Sequence, residues 1–146
     1  MNKAFVREPD ATNSYCPRCG SLGQPVLPET WHAQTRPEVW SQVSEAASFC
    51  SHATCDVAYF DDMERSISVS DLVRPVYPKD PDAPICPCFG VTCEVLEEDA
   101  RAGVVTRVRD LVARANSTEA RCATMSPTGR PCVAEVQRHY LRARNG

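Results

Sequence analysis

This chain of 146 residues has few aromatic residues, no net positive charge and no long apolar run. Aromatic side chains make up 7% of the sequence, so any hydrophobic core is short of large residues. A net charge of −3 gives no electrostatic basis for binding nucleic acid. No segment approaches the roughly 18 consecutive apolar residues that a membrane-spanning helix needs, which predicts that the chain does not insert into a membrane.

The start of the chain also lacks the apolar stretch of a secretory signal peptide, since Lys3, Arg7, Glu8 and Asp10 are spread through it. We therefore expect a cytoplasmic protein with a disordered polar tail over residues 1–15. Nine cysteines and twelve prolines are the compositional outliers. In a reducing cytosol, clustered cysteines bind metals more often than they form disulfides, and a bound metal stabilises a small core.

The first part of the predicted fold, residues 16–80, contains short β-type runs. Val57–Phe60 and Ile67–Val69 flank a polar tip, which predicts a β-hairpin. Before it, the segment from Glu38 to Ala47 has apolar residues at helical spacing and predicts one short helix. The segment from Leu72 to Tyr77 is predicted to be extended.

A proline-rich linker and a helical part follow. Three prolines between Pro78 and Pro84 exclude regular structure, and we place the linker at residues 81–85. In residues 86–146 the spacing of apolar residues becomes helical. Thr92 can cap a first helix and Gly103 can end it. Two further helices are predicted, over residues 104–115 and from about residue 132.

The first cysteine set combines a C-x2-C motif with a C-x4-C motif that begins thirty residues after it. Two such close pairs can place four thiolates at the corners of a tetrahedron, which Zn²⁺ accepts without geometric cost. The predicted ligands of this closed, structural zinc site are Cys16, Cys19, Cys50 and Cys55. Three alternatives are that His52 replaces Cys50 or Cys55, that Asp56 takes part, or that the four thiols bind no metal.

The second cysteine set begins with a C-P-C motif, in which two thiolates two residues apart point the same way from extended backbone. Thirty-three residues separate this motif from the third cysteine, and nine more separate the third from the fourth. Helix N-termini beside these cysteines favour an anionic iron–sulfur centre. The predicted [2Fe-2S] ligands are Cys86, Cys88, Cys122 and Cys132. The alternatives are a second zinc ion or no metal.

The ninth cysteine, Cys93, belongs to neither set. It is either a partly buried small apolar side chain or an accessory thiol for a soft ion such as Cu⁺. No hydrolytic site is predicted, because the three histidines are far apart in sequence and no serine nucleophile motif is present. At most, the chain is expected to be a one-electron metal reductase.

Several motifs resemble the N-terminal domain of CopZ-type copper chaperones. They are F-C-x4-C-D-V-x-Y-F from Phe49, V-x-P-V from Val73, C-x-C-F-G-V-T from Cys86, and a P-x-G loop between Cys122 and Cys132. The resemblance covers about residues 14–138, and its second half is similar to the [2Fe-2S] domains of bacterioferritin-associated ferredoxins. In the family, this domain is followed by a second domain with an M-x-C-x-x-C copper loop, a motif that this sequence lacks. Val133 also stands where the family often has another cysteine.

The resemblance implies zinc on the first cysteine set and a [2Fe-2S] cluster on the second. The expected fold is α+β, a small ribbon-like zinc-binding β-hairpin subdomain followed by a helical subdomain. The implied function is copper binding with reduction of Cu²⁺ to Cu⁺, and the implied partners are a copper exporter or another copper chaperone. The alternative function is a ferredoxin-like electron-transfer subunit that docks on a partner oxidoreductase.

Overall fold

The computed structural model describes residues 14–115 and 121–145. The predicted tail, residues 1–15, lies outside the described residues except for its last two. Of these, Tyr15 forms a β-bridge with Leu22. The strands are β1 Gln24–Val26, β2 Ala47–Phe49, β3 Val57–Phe60 and β4 Ser66–Ser68. The α-helices are α1 Pro28–Gln34, α2 Cys93–Ala102, α3 Thr106–Ala115, α4 Cys122–Met125 and α5 Val133–Asn145, and 3₁₀ helices span Pro37–Gln42 and Val69–Asp71.

The four strands form one antiparallel sheet in the order β1-β2-β3-β4. The predicted hairpin is confirmed as β3 and β4, whose β-branched and aromatic residues favour extended backbone. The chain is therefore an α+β protein, with α1 between the first two strands and the other α-helices after the last strand. Within the described residues, no helix has the length and apolar character needed to cross a membrane.

The helix predicted from Glu38 to Ala47 is wrong in its second half. The segment begins as a 3₁₀ helix, but Val43 is extended and Ala47 opens β2. The N–H group of Ser44 donates to the carboxylate of Asp61 at 2.8 Å, and this bond stands in place of a helical one. A contact from the hairpin turn has thus overridden the local helical pattern.

The same carboxylate stabilises the turn of the hairpin. Asp61 accepts the N–H groups of Met63 and Arg65 at 3.0 Å each, and its other oxygen pairs with the Arg65 guanidinium at 2.9 Å. Burial by itself raises the pKa of Asp61, but these backbone donors, the N–H of Ser44 and the Arg65 charge outweigh it and hold the pKa below its usual value.

In the described part of the chain, the two largest hydrophobic clusters are formed by residues 26–76 and by residues 85–140. The first, under the sheet, is built on Trp31, Phe49, Tyr59 and Ile67, each at most 2% exposed. The second lies between the helices and contains Ile85, Leu96, Leu111, Val136 and Tyr140. The predicted extended segment from Leu72 makes a single β-bridge, with Thr35, and does not form a strand.

The second part of the chain follows its predicted helices closely. The Thr92 hydroxyl accepts the N–H of Val95 at the start of α2, and Gly103 ends that helix in the left-handed conformation, as its lack of a Cβ allows. Helix α2 packs against α5, and α3 also contacts α5. The helix after Gly103 begins later than predicted, at Thr106, and the last helix begins at Val133.

Candidate metal centres

The first cysteine set converges at one end of the sheet. The sulfur atoms of all four cysteines lie within 4.8 Å of one another. The Sγ atoms of Cys16 and Cys55 are 3.8 Å apart, and those of Cys19 and Cys50 are 3.5 Å apart. Cys50 is fully buried, whereas Cys19 is exposed. The set has the compactness that a single tetrahedral ion requires.

Two turns bring these sulfurs together. In the first, the N–H of Cys16 donates to the carbonyl of Ser21 at 2.8 Å, and the N–H of Gly20 donates to the carbonyl of Cys16 at 2.9 Å. The second is the loop between β2 and β3, where the N–H of Cys50 donates to the carbonyl of Ala58 at 2.9 Å. The N–H of Val57 points at the sulfur of Cys55, at 3.5 Å. The loop between β2 and β3 thus holds one pair of sulfurs, and the first turn holds the other.

The thiols of this set have unequal proton affinities. The hydroxyl and N–H groups of Ser21 lower the pKa of Cys19 to about 6, because both stabilise its thiolate. Burial raises the pKa of Cys50 to about 12 and also raises that of Cys55. Cys19 therefore offers an ionised sulfur at neutral pH, while the buried thiols must lose their protons when a metal binds.

Lys79 is a functional residue that the sequence analysis missed. Its ammonium group donates to the carbonyls of His52 and Cys55 at 2.7 and 3.1 Å, and it lies 3.4 Å from the Cys50 sulfur. It brings a positive charge next to a group of thiolates that would otherwise carry an uncompensated negative charge. Its position just before the proline-rich linker gave no local signal, because the contact crosses 29 residues of sequence.

The alternative ligands of the first set lie apart from the four sulfurs. The ring of the exposed His52 accepts from the N–H of Thr54 at 3.4 Å, and its Nδ1 is 3.2 Å from the Thr54 hydroxyl. Asp56 forms an exposed ion pair with Arg18 at 3.7 Å. Neither residue belongs to the compact group of four ligand atoms.

The second cysteine set brings Cys86 near Cys132 and Cys88 near Cys122. Cys132 is close enough to shift the pKa of Cys86, and Cys88 is close enough to shift that of Cys122. The charges of Cys86 and Cys122 both act on Cys132, so the two pairs are neighbours. Among the residues that the structure describes, the compact group suited to one ion is the first set, and the second set is spread more widely.

Backbone N–H groups point at the sulfurs of the second set. The N–H of Arg121 lies 3.4 Å from the Cys88 sulfur. The nearby Cys132 thiol and the N–H groups of Phe89 and Cys88 lower the pKa of Cys86 to about 7, while the neighbouring Cys86 and then burial raise the pKa of Cys132. Burial, followed by the charge of Cys88, raises the pKa of Cys122 to about 11. Such donors stabilise thiolates that are bound to a metal centre.

Cys93 lies outside both sets, as the first residue of α2. It packs against the second core, and burial raises the pKa of its thiol although the neighbouring Tyr77 hydroxyl acts to lower it.

The chain is similar to known proteins in two ways. Residues 13–73 match the family zf_CopZ, described as a zinc binding domain, and this range includes the whole first cysteine set. Over 131 residues the chain is 28% identical to a protein named copper chaperone CopZ from Archaeoglobus fulgidus, a match that covers 84% of this chain. The chain spans 60% of the length of that relative.

The fold is also similar to a solved structure, described as the X-ray structure of the Archaeoglobus fulgidus CopZ N-terminal domain. The TM-score is 0.69 at 27% sequence identity, and the match covers 86% of this chain and 96% of the other. Both matches extend well beyond the zinc-binding family range, so the likeness includes residues of the helical part. These similarities and the four-sulfur group support a metal-binding domain for which zinc is a fitting ion.

Proposed function

We propose that this chain is a copper chaperone-like metal-handling protein that holds zinc on the first cysteine set and a [2Fe-2S] cluster on the second, and that it reduces Cu²⁺ to Cu⁺. The observation that carries the proposal is the contrast between the two sets. One is a compact group of four sulfurs, and the other is a wider group in which Cys86 lies near Cys132 and Cys88 lies near Cys122.

The geometry of the first set supports zinc. A Zn–S bond of about 2.3 Å in a tetrahedron puts neighbouring sulfurs about 3.8 Å apart. The distances of 3.8 Å between Cys16 and Cys55 and 3.5 Å between Cys19 and Cys50 fit this requirement. With four thiolates bound, the ion has no open position, so its role is structural. The ammonium of Lys79 offsets part of the negative charge.

The arrangement of the second set supports a centre with two irons. A cluster of this type takes four cysteine ligands, two at each iron. The pairs Cys86 with Cys132 and Cys88 with Cys122 match such a division, and the N–H groups of Phe89 and Arg121 can stabilise the sulfurs. We assign residues 16–80 to the zinc-binding subdomain, 81–85 to the linker and 86–146 to a helical subdomain similar to bacterioferritin-associated ferredoxins.

The copper chemistry is proposed from the likeness to the Archaeoglobus chaperone, read together with this site. A [2Fe-2S] cluster, when bound, supplies electrons one at a time. Cu²⁺ is then the substrate: it gains one electron and becomes Cu⁺, a soft ion that thiolates bind well. Cys93 is the candidate thiol for holding Cu⁺, because it belongs to neither cysteine set. The receiving partner in this scheme is a copper exporter or another copper-binding chaperone.

The test is a titration of reduced protein with copper. Protein purified without oxygen is reduced with dithionite, freed of excess reductant and mixed with one equivalent of Cu²⁺. We expect the visible spectrum of the oxidised form to return and one equivalent of Cu⁺ to be captured by bathocuproine disulfonate. A reduced spectrum that persists after Cu²⁺ is added would contradict the proposal.

The variant Cys93→Ser separates reduction from binding. We expect the spectrum to return as in the original chain, since Cys93 is not a cluster ligand in this scheme. Retention of Cu⁺ by the protein, measured in competition with the chelator, should fall. If retention is unchanged, Cys93 is not the copper thiol.

A further inference from the structure

The chain that joins Cys122 to Cys132 lies against the sheet part of the molecule. Helix α1, which is outside the helical half, packs on the four-residue helix α4. The side-chain amide of Gln34 donates to the carbonyl of Thr124 at 2.8 Å and to that of Ser126 at 3.5 Å. Gln34 is fully buried, and the bond to Ser126 is buried with it, whereas the bond to Thr124 is partly exposed.

The orientation of Gln34 is itself fixed. Its amide oxygen lies 3.5 Å from the guanidinium of Arg74, and its backbone carbonyl accepts the N–H of Val73 at 2.8 Å. Because Arg74 contacts the side-chain oxygen of Gln34 and Val73 bonds to its backbone carbonyl, the side-chain nitrogen faces the loop. The donor is therefore held in place before the loop is bound.

Tyr59 makes a second contact of the same kind. Its hydroxyl donates to the carbonyl of Pro127, although the ring lies in the core of the sheet at 0% exposure. Burial raises the pKa of this hydroxyl well above its usual value, so it is always a donor. The contact joins residues that are 68 positions apart in sequence.

Close packing completes the attachment at Gly129. This residue has a φ of +77°, and a Cβ there would lie 2.6 Å from the hydroxyl oxygen of Thr30 on α1. A glycine is thus needed both for the backbone conformation and for the close approach. The Thr124–Gly129 loop is held at its beginning, middle and end by residues of the first part of the chain.

Local structure alone is too limited to hold this loop. Helix α4 has four residues, and such short helices are not stable in isolation. Its internal bonds include that from the N–H of Ser126 to the carbonyl of Cys122 at 3.0 Å. The direction in which Cys122 and Cys132 face Cys88 and Cys86 must then be set from outside the loop.

We propose that Gln34 and Tyr59 are positioning residues for the second cysteine set: they fix the Thr124–Gly129 loop so that Cys122 and Cys132 reach the C-P-C motif. The nature of the metal group rests on the function proposed above, but the attachment of the loop does not. Support for one metal centre therefore comes from the hydrophobic core beside the other.

The test uses Gln34→Met, which keeps the length of the side chain but has no donor, and Tyr59→Phe, which removes one oxygen. Tyr140→Phe is the matched control, because the Tyr140 hydroxyl donates to the carbonyl of Val104 away from the loop. Hydrogen exchange is measured on peptides that cover residues 124–132. Cluster retention is followed by visible circular dichroism in the presence of a ferrous iron chelator.

We expect exchange in the loop to become about tenfold faster in Gln34→Met and several-fold faster in Tyr59→Phe, as the loss of buried hydrogen bonds allows. The half-life of the cluster should shorten in the same order, with zinc content unchanged. The control should alter neither loop exchange nor cluster half-life. If Gln34→Met does not fold, the positioning role is tested with Tyr59→Phe alone, since this variant keeps the whole apolar ring.

Loop exchange and a cluster half-life equal to those of the original chain in Tyr59→Phe would overturn the positioning role. A colourless original protein has a different meaning, because it would reject the proposed cluster. In that event loop exchange still decides the inference: faster exchange in the two variants supports it, and unchanged exchange overturns it.

Discussion

The two cysteine sets are built in different ways. The first is carried by two turns beside one small sheet, and its four sulfurs lie within 4.8 Å of one another. The second takes its cysteines from the segment before α2, from the four-residue helix α4 and from the residue just before α5. Its loop is bound by Gln34 and Tyr59, which belong to the other half. The first set is local, whereas the second depends on the first part of the chain.

From this difference we expect dependence between the two halves to run mainly one way. Zinc on the first set, as proposed, would reinforce the folding of the sheet, because a structural metal site adds its binding free energy to folding. We expect the folded sheet to stabilise the helical half through its contacts with the Thr124–Gly129 loop. Damage to the first set should therefore reach the second, while damage to the second should leave the first intact.

The largest effect is expected from Cys50→Ser, which removes a fully buried sulfur of the first set. Zinc should be lost, with a fall of more than about 3 kcal/mol in the free energy of unfolding. Iron should be lost as well, because the sheet that holds the loop is no longer stable. Urea denaturation and metal analysis measure the three quantities. Cys93→Ser is the control, and normal iron content in Cys50→Ser would refute the one-way dependence.

The second largest effect is expected from Cys88→Ser, and it is confined to the helical half. The variant lacks one proposed cluster ligand, so visible absorption and iron should disappear. Zinc should stay at about one ion per chain, and amide exchange in strands β2 and β3 should match that of the original protein. Equal loss of zinc and iron would show that the two centres depend on each other in both directions.

A smaller effect is expected from Asp61→Asn, which weakens the hairpin beneath the first set. The variant loses the charge that Arg65 and three backbone N–H groups stabilise, at a cost of about 2 kcal/mol in the free energy of unfolding at pH 7. The folded pKa of Asp61 is lowered, so its contribution is present above the unfolded value near 4 and is lost as pH falls through the folded value.

The difference in the free energy of unfolding between the original chain and Asp61→Asn should therefore be constant from pH 7 to about pH 4 and shrink at lower pH. Urea denaturation across this range measures it. The neighbouring Asp62 is exposed, and Asp62→Asn is the control, with little expected change. The assigned role of the carboxylate would be contradicted if this difference in the free energy of unfolding increased as the pH falls.

The smallest effect is expected from Lys79→Gln, which removes a positive charge beside Cys50 and retains a shorter polar side chain. Zinc affinity, measured against a chromophoric chelator, should fall about tenfold, as is common when a neighbour of a metal ligand is lost. Cluster absorption should be unchanged. Lys79→Arg is the control for charge, and it should retain most of the affinity if charge is what matters.

The parts of the fold that local signals determine could be predicted from sequence. Thr92 and Gly103 mark the ends of α2 by side-chain capping and by backbone freedom, and the hairpin strands are rich in aromatic and β-branched residues. Strand β1 was missed because it is short and contains Pro25, and β2 was missed because it begins at Ala47, within the segment whose spacing predicted a helix. Ser44 leaves the predicted helix because of a bond to a residue 17 positions away.

The same reasoning explains what was missed around the candidate sites. Cysteine spacing predicted the first set, whose four sulfurs the structure brings together, since ligand motifs are local in sequence; the second set stays a prediction. The contact of Lys79 spans 29 residues of sequence, that of Gln34 spans 90 and that of Tyr59 spans 68. No local sequence pattern predicts such contacts. Residues that support a metal centre are thus harder to predict than the residues that bind the metal.

The most direct test of two chemically different centres is the zinc, iron and acid-labile sulfide content of protein purified without oxygen, recorded with its visible spectrum. The account predicts about one zinc, two irons and two sulfides per chain, in a coloured protein. A colourless protein with two zinc ions and no sulfide would contradict it.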